Sequence, residues 1–130
     1  MPAVELPDVE AMAVSFAQTR TTAVVATKVG NPRPPLYARV WRTGGGAVNR
    51  VVELAQITVT VGAAATAGEG GDVIASREAQ KLRKAFLNDY TAMPLVRGVS
   101  ETVGPYYDPD PDTGEDRYSF TLQLSVRGAR

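Results

Sequence analysis

The chain has 130 residues, of which 44% are hydrophobic and 22% charged, and its 14 basic side chains balance its 14 acidic ones. This length and composition predict one globular domain, residues 1–130, and exclude the disordered and fibrous classes. The zero net charge argues against a protein held on nucleic acid or on an anionic membrane by its overall field.

Cysteine and histidine are both absent from the chain. Their absence excludes disulfides, thiolate nucleophiles, histidine acid–base pairs, Ser-His-Asp triads and nearly all zinc sites. Only carboxylate, Lys or Tyr chemistry is left, and because these residues show no recognisable catalytic pairing, we predict no catalytic residue, no cofactor and no metal ligand. The N-terminus has no signal-peptide pattern and no run is long enough to cross a bilayer, so we expect a protein made and kept in the cytosol.

The first half of the chain predicts one helix and two strands. Asp8 is placed to cap a helix whose apolar residues recur at spacings of three and four. Residues 22–29, rich in Thr and Val, indicate a short strand, and the proline-rich segment 30–35 must end it. Residues 36–42 alternate as a strand with two occupied faces. One face carries Leu36, Ala38 and Val40, and the other carries Tyr37, Arg39 and Trp41.

A long hairpin is predicted next. The glycines that follow Thr43 interrupt the alternation, and residues 51–61 resume it with Val51, Ala55, Ile57, Val59 and Val61 on one side. We expect the tip, residues 43–50, to project as a flexible arm. No Lys-Ser/Thr pair follows these glycines, so they do not predict a phosphate-binding loop.

A second helix should run from a cap at Asp72 to about Asn88, with Ala75, Ala79, Leu82 and Phe86 on its apolar stripe. Residues 95–103 alternate weakly, and residues 118–126 alternate strictly. A loop near residues 104–117 separates them. The expected fold class is α+β, with a small, mainly antiparallel sheet of about four to five strands flanked by two helices.

The densest acidic cluster, residues 108–116, superficially resembles a calcium loop. Counted from Asp108, an EF-hand would need Gly and Glu where the chain has Thr113 and Ser119. The Pro-Asp-x-Gly pattern indicates instead a solvated turn before the last strand.

Aromatic and arginine side chains are the candidates for an interaction surface, because Trp, Tyr and Arg are enriched where interfaces concentrate their binding energy. Strand alternation does not decide whether Trp41 belongs to an interface or to the core. The Tyr106-Tyr107 pair is equally ambiguous. The candidate residues for a protein–protein interface are Arg39, Trp41, Arg42, Arg50, Tyr106 and Tyr107.

Several segments in order resemble the tail terminators of siphophages that infect actinobacteria. These segments are 31–35 leading into 40–45, then 50–59, the second helix, 104–114 and 117–128. The resemblance covers most of the chain after Thr22. It implies a hexameric ring that caps the tail tube and joins it to the head connector, with genomic DNA passing through the lumen without specific binding. It also implies a place in the tail or neck of the virion, after assembly in the host cytoplasm.

Three other functions remain open at the level of sequence. A head–tail stopper or connector protein shares the size and the α+β composition. A small enzyme using a carboxylate such as Glu53 or Glu101 with a tyrosine has no recognisable catalytic pairing to support it. A small-ligand or peptide-binding module would use the edge of the sheet.

Overall fold

The computed structural model describes residues 6–30 and 32–128, and in these residues two α-helices and five strands form an α+β fold, as predicted. The helices are α1 (Val9–Gln18) and α2 (Gly71–Asp89), and a 3-10 turn, Tyr90–Ala92, follows α2. The strands are β1 (Val24–Ala26), β2 (Leu36–Ala47), β3 (Val52–Ala63), β4 (Val96–Tyr107) and β5 (Arg117–Arg127). Neither α1 nor α2 is long and apolar enough to cross a membrane.

The strands form one open sheet in the order β1-β2-β3-β5-β4. Strands β1 and β2 are parallel, and every other neighbouring pair is antiparallel. Both helices pack on the same face of this sheet, and the rings of Phe16 in α1 and Phe86 in α2 meet with centroids 4.8 Å apart. The opposite face, which no helix of the described residues covers, is called the open face below.

The core lies between the helices and the sheet. The predicted stripe of α2 is confirmed, because Ala75, Ala79, Leu82 and Phe86 are all fully buried. Burying a large apolar side chain contributes on the order of 1.5–3 kcal/mol to the free energy of unfolding. The apolar residues of β2, β3 and β5 therefore supply much of the stability of the fold. The large, fully buried strand residues that face the helices are Val40, Ile57, Val59, Val61, Phe120, Leu122, Leu124 and Val126.

Of the two N-caps predicted from the sequence, the structure confirms only that of α1. The cap of α1 is confirmed, because an Asp8 carboxylate oxygen accepts a hydrogen bond from the Ala11 amide at 3.0 Å. The predicted cap of α2 is wrong. Gly70 occupies that position without a side-chain hydrogen bond, and Asp72 lies inside the first turn. The negative charge of Asp72 still interacts favourably with the positive N-terminal end of the helix dipole.

The β2–β3 hairpin is more ordered than predicted. The expected flexible arm, residues 43–50, is mostly strand, because β2 continues to Ala47 after a bulge between Arg42 and Gly44. Gly45 adopts a φ of 95°, which only glycine tolerates readily and which keeps the strands paired beyond the bulge. The turn itself is limited to residues 48–51, where the Asn49 side chain accepts from two backbone amides. Val51 lies in this turn and is exposed, not on the buried face of β3 as predicted.

The last two strands also differ in length from their predictions. The weakly alternating segment 95–103 is part of β4, which extends to Tyr107 and has three register shifts against β5. The loop is therefore shorter than the predicted 104–117 and spans residues 108–116. The strict alternation of β5 is confirmed, although Tyr118 at its start is only half-buried.

Tyr37 is a buried aromatic residue on the open face. Its ring lies against Gly62 on β3, and its exposed fraction is 2%. A Cβ atom on residue 62 would overlap this ring. The ring cannot easily move away from residue 62, because its hydroxyl donates to Glu115 and accepts from Arg33.

We expect the substitution Gly62→Ala to lower the free energy of unfolding by about 1–3 kcal/mol, because it overpacks a fixed contact. The matched control is Gly46→Ala, since a Cβ on residue 46 meets no atom within 4 Å. The control should stay within about 0.5 kcal/mol of the parent chain. Equilibrium unfolding in urea measures both values, and equal stabilities for the two variants would contradict the packing of Tyr37 on Gly62.

Candidate functional site

The open face is organised by the register of four strands. Residues paired across antiparallel strands point to the same side of a sheet. One row across the face is Trp41, Thr58, Thr121 and Val103, and the next is Arg39, Thr60, Ser119 and Tyr106. The open face therefore combines a polar centre with aromatic and cationic side chains.

Hydroxyl groups on the open face satisfy one another. The Thr58 Oγ1 atom lies 2.9 Å from that of Thr43 and 3.0 Å from that of Thr121. The Thr60 Oγ1 atom lies 2.8 Å from Ser119 Oγ, which donates to Asp108 at 2.8 Å. Buried polar groups are costly unless they are hydrogen-bonded, so these pairs let an uncovered face carry hydroxyls at low cost.

Arg39 and Trp41 form the most distinctive contact of the open face. The Arg39 guanidinium carbon lies 3.9 Å from the centroid of the Trp41 ring, which is a cation–π geometry. The Arg39 Nε atom donates to the Thr27 carbonyl at 2.9 Å, and this bond holds the guanidinium over the ring. Both side chains remain half-buried, so they are available for contact.

Next to this contact, an ionic cluster fastens the acidic loop 108–116 to the sheet. Arg33 lies 2.7 Å from Asp110 and 3.1 Å from Glu115, and it also donates to the Tyr37 hydroxyl. Arg117 adds a longer contact to Asp110 at 3.7 Å. The predicted solvated turn is wrong for Asp110, whose exposed fraction is 5%.

The cluster shifts the pKa values of three of its members, and hydrogen bonds to Asp110 and Glu115 raise that of Arg33. Backbone amides of Asp112 and Thr113 donate to Asp110, and together with the Arg33 guanidinium they lower its pKa to about 2. Burial, with help from the Glu115 carboxylate, raises the pKa of Tyr37 to about 12. All three shifts favour the charge states that the hydrogen bonds require at neutral pH.

The six predicted interface residues do not form one group. Arg39, Trp41 and Tyr106 share the open face. Tyr107 pairs with Tyr118 and so points to the helix side, where its hydroxyl donates to Asp116 at 2.6 Å. Arg42 also points to the helix side and contacts Glu53 at 3.2 Å, and Arg50 is exposed in the hairpin turn.

Residues that sequence reasoning missed are those of the ionic cluster. Arg33 and Glu115 are 82 positions apart, and no local pattern links them. The available indication was Asp110, the residue before Pro111, because an aspartate that starts such a turn accepts from the backbone amides that follow it and must be paired if it is buried.

The two carboxylates considered for an enzyme are both paired with arginine. Glu53 contacts Arg42, and Glu101 accepts two hydrogen bonds from Arg83 at 2.8 and 2.6 Å. The Arg83 guanidinium holds the pKa of Glu101 below its ordinary value. Within residues 6–30 and 32–128, no cluster of three acidic side chains is suited to hold a metal ion.

Comparison of the sequence with protein-family models and with curated proteins finds no match to either. The function is therefore inferred from the geometry of the open face and from the ordered motifs of the sequence.

The pKa of Asp110 predicts a specific acid sensitivity. An aspartate has an ordinary pKa of about 3.9, so this carboxylate stabilises the fold above about pH 4 and loses that effect as pH falls towards 2. We expect Asp110→Asn to be less stable at pH 7 and to lose less stability than the parent chain between pH 4 and pH 2. Urea unfolding across this pH range measures the difference.

The control is Asp112→Asn, because Asp112 lies exposed in the same loop. It should show the parent pH dependence. An Asp110→Asn chain that follows the parent curve would mean that Asp110 is not paired in the folded protein.

Proposed function

We propose that this chain is a structural assembly protein, a tail terminator of a siphophage, which forms a ring that caps the tail tube and joins it to the head connector. The observation that carries the proposal is the open face, where Arg39, Trp41 and Tyr106 lie on an uncovered sheet. The ordered motifs of the sequence favour the tail-terminator family among assembly proteins. The proposed partners are other copies of the chain, the tail tube protein and the connector protein.

A closed ring requires two different surfaces on each subunit, because its contacts are head-to-tail. The open face supplies the first, since Trp, Tyr and Arg are the side chains that most often dominate binding energy. The exposed fraction of Tyr106 is 46%, so it can still bury apolar area.

The β2–β3 hairpin supplies the second surface. Strand β1 pairs only with residues 37–39 of β2, and the Glu10 carboxylate of α1 accepts from the Arg42 amide at 2.9 Å. Among the described residues, the outer edge of β2 from Thr43 to Ala47 has no neighbouring strand. Unpaired strand edges are sites where another chain adds by backbone hydrogen bonds. The turn adds Val48 and Val51, with exposed fractions of 59% and 41%, and the exposed Arg50.

A ring around genomic DNA must let the DNA slide. Fourteen basic and fourteen acidic side chains cancel in this chain. A lumen built from such subunits would not hold phosphates by a strong net field. This charge balance supports a passive channel in the neck of the virion, and it fits a head–tail stopper equally well.

A peptide-binding module is the second candidate, and the unpaired edge of β2 favours it. In that function a single extended peptide, and not another folded subunit, would pair with residues 43–47. The two functions differ in the mass of the purified protein, since a peptide-binding module has no need to assemble with itself.

The test is the mass of the purified chain by light scattering, together with negative-stain electron microscopy. We expect rings, alone or on the ends of tail tubes, and Tyr106→Ala should weaken their association at least tenfold, which is about 1.4 kcal/mol. The matched control is Tyr107→Ala, because Tyr107 is a neighbouring tyrosine of similar exposure on the opposite side of the sheet. A chain that stays monomeric at high concentration and does not bind tail tubes would contradict the terminator function.

A further inference from the structure

The open face contains a depression beside the Arg39–Trp41 contact. Its volume is about 370 Å³, within the range of sites for small molecules. Cationic side chains are prominent in its wall, and Trp41 and Tyr37 contribute aromatic surface. The four cationic residues that line it are Lys28, Arg33, Arg39 and Arg117.

The charges around the depression are divided into two groups. Arg33 and Arg117 are paired with Asp108, Asp110 and Glu115. Lys28 and Arg39 have no carboxylate within 4 Å among residues 6–30 and 32–128.

Asp108 is the one acidic residue in the wall, but its charge is already engaged. One of its carboxylate oxygens accepts from Ser119 at 2.8 Å and lies 3.7 Å from Arg117. The unbalanced charge facing the depression is therefore positive, and it comes from Lys28 and Arg39.

Arg39 is held in place with most of its donors unused. A guanidinium carries five N–H groups. In the described part of the chain, its only hydrogen bond is the one from Nε to the Thr27 carbonyl. The Trp41 ring covers one flat side of the guanidinium and so leaves its terminal nitrogens as the accessible donors. A planar, preorganised arginine of this kind binds carboxylate or phosphate through two parallel hydrogen bonds.

The geometry points to an oxyanion-binding site in this depression, with Arg39 as the planar donor and Lys28 as the second cation. The ligand is a phosphate or carboxylate group. This site does not depend on the assembly function. The group has two possible sources, a free small molecule or an acidic side chain of a second copy of the chain.

The fluorescence of Trp41 reports directly on ligand binding at this site, because Trp41 is the only tryptophan of the chain and its ring contacts Arg39. Inorganic phosphate, titrated at constant ionic strength, should change the Trp41 fluorescence along a saturable curve with half-saturation on the order of 1 mM or below. Chloride at the same ionic strength should not. A linear or absent response to phosphate in the parent chain would overturn the site.

Substitutions then locate the bound phosphate. Lys28→Gln leaves the Arg39–Trp41 contact intact and should weaken phosphate binding about tenfold, as expected for the loss of one charge-assisted contact. Arg39→Gln should abolish saturation, measured by calorimetry because this change also alters the starting fluorescence. The control is Arg97→Gln, since Arg97 is exposed on β4 and does not line the depression. Equal binding by all three variants would overturn the site.

Light scattering in the presence of saturating phosphate separates the two sources. If a carboxylate of a second copy occupies the site, phosphate should displace it and lower the mass of the assembly. If the ligand is a free small molecule, the mass should not change. Either outcome requires saturable phosphate binding that depends on Arg39, so a failure to assemble does not affect the test of the site.

Discussion

Burial of one side of the sheet is the constraint on which the rest of this structure depends. The apolar residues of β3 and β5 alternate onto the side where Phe16 and Phe86 meet. A slip of one residue would expose all of them, so this burial fixes the register of the central strands. The same alternation places Thr58, Thr60, Ser119 and Thr121 on the open face. The surface proposed for assembly is therefore the side of the sheet opposite the core.

Such a face can remain uncovered because its polar groups are paired with one another. The hydroxyls form short chains across β3 and β5, and the acidic loop is fastened by Arg33 and Arg117. These contacts leave a few groups for binding, mainly the Arg39–Trp41 pair, Lys28 and Tyr106. The hairpin adds a strand edge and an apolar turn. The open face and the hairpin are the two separate regions that the proposed ring requires.

The sequence predicted the fold where a pattern is local and missed what depends on distant pairing. Strand β5 and the stripe of α2 were found because their apolar periods are regular. The glycines at 44–46 predict a flexible tip, because the pairing with β3 that keeps them extended is not visible in the local sequence. The sequence also does not show which interface candidates lie together. Only the strand register shows that Tyr106 shares a face with Arg39 and that Tyr107 does not. The burial of Asp110 depended on an arginine far away along the chain.

The most direct test of the central claim, that the open face is the surface buried on assembly, is the accessibility of Trp41 to acrylamide. Quenching of its fluorescence should be efficient in the dilute, dissociated chain, because the side chain is only half-buried there. In isolated rings the quenching constant should fall severalfold. A ring whose Trp41 is quenched as readily as that of the dissociated chain would contradict the account, because its subunits would then meet through other surfaces.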